Sequence, residues 1–167
     1  MLKSKRPDMH TISLLVANKP GVLVRCAQVF ARRGYNIDSL VVSASVNPKF
    51  SRMTITAIGD PGTLDQIIKQ CAKLIDVLNV VEHTKMDAVS RELALLKVKC
   101  TARTKANLKK MVKYKAHIVE ETDKSLIIGQ YGTTEELDSL EEEVRKLGII
   151  EMVRSGKLVM AKGAEPT

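Results

Sequence analysis

Residues 51–74 read SRMTITAIGDPGTLDQIIKQCAKL, and within them the hydrophobic period changes from two to about 3.6. Met53, Ile55 and Ala57 alternate with Arg52, Thr54 and Thr56, the pattern of a strand buried on one face. Gly59-Asp60-Pro61 then stops the strand and opens a helix, with Asp60 as N-cap and Pro61 at the first helical position, where a backbone N–H would have no partner. Beyond it, Leu64, Ile67, Ile68, Cys71 and Leu74 fall at i, i+3, i+4, i+7 and i+10, one apolar stripe along an amphipathic helix.

Working outward from this junction, the chain continues the same alternation of elements. Upstream, His10–Ala17 predicts a strand with Ile12, Leu14 and Val16 on one face. Asn18-Lys19-Pro20-Gly21 breaks it, and a helix follows with Val22, Cys26, Val29 and Phe30 on its apolar side, stopped near Arg33-Gly34. Ile37–Val46 predicts a second strand, with Leu40, Val42, Ala44 and Val46 in one row, joined to Ser51–Ile58 as a hairpin across Asn47-Pro48. Downstream, a strand over about Val77–Thr84 closes a βαββαβ unit, the ferredoxin-like order.

The second half repeats that order. Leu93–Cys100 predicts a strand and Thr104–Tyr114 a helix anchored by Leu108, Met111 and Val112. His117–Thr122 and Ser125–Tyr131 form a hairpin across Asp123-Lys124. Thr133 and Glu136 read as a capping box for a helix carrying Leu137, Leu140, Val144 and Leu147 and ended by Gly148. Ile149–Val153, continued at Lys157–Ala161, supplies the last strand. The expected fold class is α+β, with two consecutive ferredoxin-like domains at 10–86 and 91–163, a short polar linker near 85–91 and a basic tail at 1–9.

Composition limits the function classes. Apolar residues make up 44% of the 167, enough for a packed core, and five aromatic residues leave that core largely aliphatic. Cys26, Cys71 and Cys100 are odd in number and far apart, which supports neither a disulfide framework nor a zinc site. No apolar run reaches the roughly 20 residues of a membrane span, so a cytoplasmic location is expected, with a plastid as the alternative. Net charge is +8, and Lys97–Lys115 concentrates eight basic residues without an acid. Nucleic acid or an acidic protein could meet such a run, but a solvated face accounts for it as well. RNA-reading sheets of this layout stack bases on aromatics of their central strands, and these strands carry Ile12, Leu14, Met53 and Ile55 with no such aromatic motif.

Catalytic constellations are absent from the sequence. His10, His83 and His117 share no motif with a nucleophile, and no phosphate loop or HExxH is present. Glu141-Glu142-Glu143 splay over different helix faces and read as solvated surface. The informative loop is Asn18-Lys19-Pro20-Gly21-Val22-Leu23. A helix start there offers unpaired N–H groups and a positive dipole end to a carboxylate. Gly21 permits close approach to the backbone, and Asn18 carries a donor and an acceptor for a zwitterion. Taken alone, these residues fit a capped turn better than a ligand cradle.

A resemblance shifts that balance. The N-terminal unit resembles an ACT domain, and the whole chain is similar to the regulatory (small) subunit of acetohydroxyacid synthase, also called acetolactate synthase. The matching stretches are Asn18–Leu23, Arg33–Leu40 (RGYNIDSL), Ser51–Ile55 (SRMTI), Lys73–Val77 (KLIDV), Arg91–Leu95 (RELAL) and Val153–Gly156 (VRSG). The resemblance implies a subunit without catalytic residues, metal or cofactor of its own. Its partner would be a catalytic subunit carrying thiamine diphosphate, FAD and Mg, which it activates and makes sensitive to a branched-chain amino acid, most often valine. It also implies a homodimer through the ACT domain and an effector site of Asn18, Gly21, Val22, Leu23, Asn36 and Ile37, with Asn36 and Ile37 supplied by a neighbouring subunit. An ACT-type sensor for another enzyme and a nucleic-acid-binding tandem are the alternative readings.

Overall fold

The computed structural model describes residues 9–83, 88–111, 116–164 and 166–167. The expected basic tail up to Asp8, linker residues 84–87 and the helical end at Val112–Tyr114 lie outside them. Two compact units emerge: one holds the described residues up to Ser90 together with Gly156–Thr167, the other Arg91–Ser155.

The first unit runs β1 (Met9–Ala17), α1 (Val22–Arg32), β2 (Ile37–Ala44), β3 (Phe50–Ile58), α2 (Pro61–Ala72) and β4 (Val77–Glu82). Its strands lie in the order β2-β3-β1-β4, every neighbour antiparallel. Register places Ile12 opposite Ile55 and Leu14 opposite Met53, so the alternating rows read from sequence form one apolar face. Val22, Cys26 and Phe30 of α1 and Leu64, Ile67 and Cys71 of α2 pack on that face and complete the core. Burial, and secondarily the neighbouring Cys26, push the Cys71 thiol up to about 12, so it stays protonated and packs as a small hydrophobe.

The second unit repeats the topology with β5 (Ala88–Lys99), α3 (Ala102–Met111), β6 (His117–Glu121), β7 (Ser125–Gly132), α4 (Thr134–Arg145) and β8 (Ile149–Arg154), in the strand order β6-β7-β5-β8. Ala94, Leu96 and Val98 meet Leu126 and Ile128 across the sheet, under Leu137, Leu140 and Val144 of α4. The chain is thus an α+β protein of two βαββαβ units, as the two periodicities predict.

Two expectations need correction and a third is refined. The row Leu40, Val42, Ala44, Val46 is apolar only at its start. Val42, although paired with Met53, is 43% exposed, and Val46 is wholly so because Ser45 N–H bonds Phe50 O and Phe50 N–H bonds Asn47 O, closing the hairpin before Val46 can pair. The polar linker is shorter than read, since Ala88–Arg91 already belong to β5. Lys157–Ala161 continues along β5, the strand that β8 also pairs with, but as a separate strand that begins at Leu158. Gly156 turns the chain at φ 83°, and a separate strand β9 (Leu158–Ala161) pairs with β5 and is grouped with the first unit.

That return of the chain matters for the second face of the first sheet. Thr11, Ser13, Thr54 and Thr56 alternate with the core rows and are themselves buried. Ser39 and Thr56 share a 2.5 Å hydroxyl bond, and Ser13 Oγ lies 2.7 Å from His83 Nε2. The segment after Gly156 lies against this polar face: Arg52 donates to the main-chain oxygen of Thr167.

Candidate functional site

The loop after β1 is fixed on both sides. Ala17 N–H bonds Asp76 O and Asn18 N–H bonds Lys49 O, each at 2.8 Å, tying the loop to the α2–β4 connection and to the β2–β3 turn. The Asn18 side chain does not cap the helix; its amide donates to Pro48 O at 3.0 Å. α1 therefore starts on Gly21, at φ 81° and ψ −10°, with no side-chain cap and no acid in its first turn. The left-handed φ is what glycine tolerates and other residues resist, so the loop needs Gly21 for its own shape.

Val22 and Leu23 divide. The Val22 side chain is in the core at 2% exposure, which leaves only its backbone for a ligand, and its N–H leans 3.4 Å toward Lys19 O. Leu23 is 40% exposed and can supply apolar contact.

Asn36 and Ile37 lie elsewhere. Gly34 at φ 68° ends α1, Tyr35 N–H bonds Phe30 O, and Asn36 leads exposed into β2, while Ile37 packs half-buried against the core. The eleven residues of α1 separate the two groups by about 16 Å along the helix axis. Within one chain, Asn18, Gly21 and Leu23 are at one end of α1, and Asn36 and Ile37 at the other.

Sequence reasoning missed Arg25. A Cβ added to Gly21 would stand 3.1 Å from Arg25 Nη1, so the guanidinium occupies the space beside the uncapped turn. Its other nitrogen pairs with Asp76 Oδ2 at 2.5 Å. Two signals were available: Arg25 is four residues after Gly21, hence on the same helix face, and Asp76 falls in the matched stretch Lys73–Val77.

A second omission lies in Arg91–Ser155. Arg154 Nη2 pairs with Glu92 Oε2 at 2.7 Å and Nη1 with Asp138 Oδ1 at 2.5 Å, while Thr134 donates to Glu92 Oε1. Burial pulls the Arg154 pKa down, but its bonds to Asp138 and Glu92 outweigh that and raise it. Glu141 also departs from the solvated-surface reading: it pairs with Arg145 and lies 4.0 Å from Arg154. Part of the basic run is neutralised too, Lys97 by Glu151 and Lys105 by Glu121.

Among the described residues, no three His, Cys, Asp or Glu side chains gather as a metal site, and no helix is long and apolar enough to cross a membrane.

Comparison with known proteins accounts for both halves. Residues 12–79 match the family described as AHAS small subunit-like ACT domain, and residues 91–163 the small subunit of acetolactate synthase. The acetolactate synthase small subunit of Mycolicibacterium smegmatis is 42% identical over 155 residues, spanning 92% of this chain and 91% of that one. A probable acetolactate synthase small subunit of Methanothermobacter thermautotrophicus is 40% identical over 162 residues, 95% of each. The crystal structure of the acetolactate synthase small subunit from Thermotoga maritima superposes with a TM-score of 0.83 at 31% identity, covering 94% of this chain and 99% of that one. Glu92 and Arg154, partners in the buried ion cluster, both fall within the second matched region. With both units, their order and nearly the full length accounted for, the chain belongs to the acetolactate synthase small-subunit family.

Proposed function

We propose that this chain is the non-catalytic regulatory partner of an acetolactate synthase catalytic subunit, which it activates and places under feedback inhibition by valine. The thiamine diphosphate, FAD and Mg of the reaction belong to that partner, and the assembly works in the cytoplasm. The effector's carboxylate meets the start of α1 at Gly21, Val22 and Leu23, with Asn18 beside it. Asn36 and Ile37 of a second copy close the pocket, which makes the chain a homodimer through its first unit.

One observation carries this reading: an uncapped helix start and the Asn36 half-site stand at opposite ends of α1. Either half alone is too sparse for a zwitterion, which needs an acceptor for its ammonium and donors for its carboxylate. A second copy supplies the missing half. Discrimination among branched-chain effectors rests on apolar fit, where one methylene is worth about 1–3 kcal/mol.

The test is reconstitution with the cognate catalytic subunit, joined to calorimetric titration of the chain with valine, leucine and isoleucine. The expected result is no product from the chain alone, several-fold faster turnover of the mixture, and valine binding tightest of the three. Absence of stimulation at saturating subunit ratios excludes the regulatory role; stimulation without binding of any of the three excludes the effector assignment.

A further inference from the structure

The segment Gly156–Thr167 touches the strand that leads out of the Asn36 half-site. A Cβ added to Gly156 would stand 3.0 Å from both Cβ and Oγ of Ser39 and 3.1 Å from Val41 Cγ2, so any side chain there presses on β2 and also strains the left-handed φ of 83°. Ser39 and Val41 face the polar side of the sheet, opposite Thr56 and Thr54 of β3. Further along, Arg52 of β3 donates to the Thr167 carbonyl, and Ala161 N–H bonds Thr167 Oγ1 at 3.0 Å, folding the segment back on itself. Val159 in its middle is buried. The contact is anchored at two points, on β2 and on β3, and β9 between them is hydrogen-bonded to β5.

β2 needs such a hold. It is an edge strand, paired on one side only, and its register on β3 shifts between Ile37 and Ser39. A register irregularity beside an unpaired edge is where a sheet frays first. Ile37–Val41, the half that starts at the candidate effector residues, lies next to the Gly156 contact, whereas Val42–Ala44 are exposed. We propose that the described residues from Gly156 onward form a strap that clamps the first half of β2 onto β3 and thereby sets effector affinity at Asn36 and Ile37. The link to affinity rests on the effector reading above; the clamping does not.

Hydrogen exchange and valine calorimetry on the full chain test it. Gly156→Val adds bulk against Ser39 and strains a left-handed φ, so exchange across Ile37–Ala44 should quicken roughly tenfold while α2 stays protected. Valine binding should weaken in parallel. If Gly156→Val does not fold, Gly156→Ala and Arg52→Gln loosen the two anchors separately and should give smaller effects in the same direction. Unchanged exchange in β2, or an equal rise throughout the first unit, overturns the strap. Loosened β2 with unaltered valine binding, when Asn36→Ala does lose valine, overturns its coupling to the site and leaves the effector reading intact. If wild type itself binds no valine, the effector reading fails, and the exchange arm still decides the clamping.

Discussion

The two βαββαβ units share a strand order but start their helices differently. Asp60 accepts from Thr63 N–H at 2.8 Å to open α2, the Thr101 hydroxyl accepts from Thr104 N–H at 3.1 Å to open α3, and Thr133 with Glu136 forms a reciprocal box at α4. α1 opens on Gly21 with no side-chain cap. α1 and α3 hold equivalent places in the two units, so the contrast is not one of topology. It lies in whether the chain itself satisfies the helix end. The second unit closes that end and gathers its charges inward around Arg154. The first leaves the helix start without a side-chain cap beside the Arg25–Asp76 pair, the place that the proposed function gives to the effector's carboxylate.

The largest effect should come from the closed unit. Arg154→Ala leaves Glu92, at 6% exposure, without its counter-ion, a change worth about 3–5 kcal/mol of destabilisation. Urea denaturation followed by hydrogen exchange should show the loss within Arg91–Ser155, with valine binding retained. Equal loss of valine binding would break the comparison, since the ion cluster would then serve both units. The next effect sharpens it. On the proposed effector site, Asn36→Ala should remove a bond to a charged ligand group, about 1.5–3 kcal/mol or roughly tenfold and more in valine affinity, with activation of the partner kept. Gly21→Asp, which sets an anion beside the ligand carboxylate, should be harsher in the same calorimetric assay. By contrast, Thr101→Ala in the second unit should cost about 1 kcal/mol of stability and nothing in valine binding.

The smallest effect concerns pH. Burial, and then the charge on Arg52, hold His83 below its usual 6.5. Its folded pKa is depressed, so as pH falls the unfolded chain takes up a proton that the folded one refuses. Stability is therefore full above about pH 6.5 and declines below it. Thermal melts at pH 7.5 and 5.5 should show this decline in wild type and less of it in His83→Gln.

Much of the fold was legible because burial in a two-layer unit imposes periods that a single sequence carries. The rows Ile12-Leu14-Val16 and Met53-Ile55-Ala57, the Asp60 cap and the Thr133–Glu136 box all rest on neighbours a few residues away or on simple alternation. What escaped depends on long-range contact. Arg25 meets Asp76 and Arg154 meets Glu92 across 51 and 62 residues, and charged residues read one at a time look like surface. The strap escaped for a related reason: Leu158–Ala161 has ordinary strand character and pairs with β5 as β8 does, and nothing local shows that the backbone at Gly156 also meets Ser39 and Val41 of β2. In the candidate site, the residues are named by the resemblance alone. The two ends of α1 became a constraint only once the helix had a length.

That length has a further consequence. If, as proposed, the effector pocket is shared between copies, its halves, about 16 Å apart on one chain, form a site only while two chains are associated. Effector binding and self-association are then linked by mass action, and each strengthens the other. Diluting the protein should raise the valine concentration needed for half-saturation, and valine should drive monomers together. On that account α1 makes the cell's sensitivity to valine depend on how much of this subunit it contains.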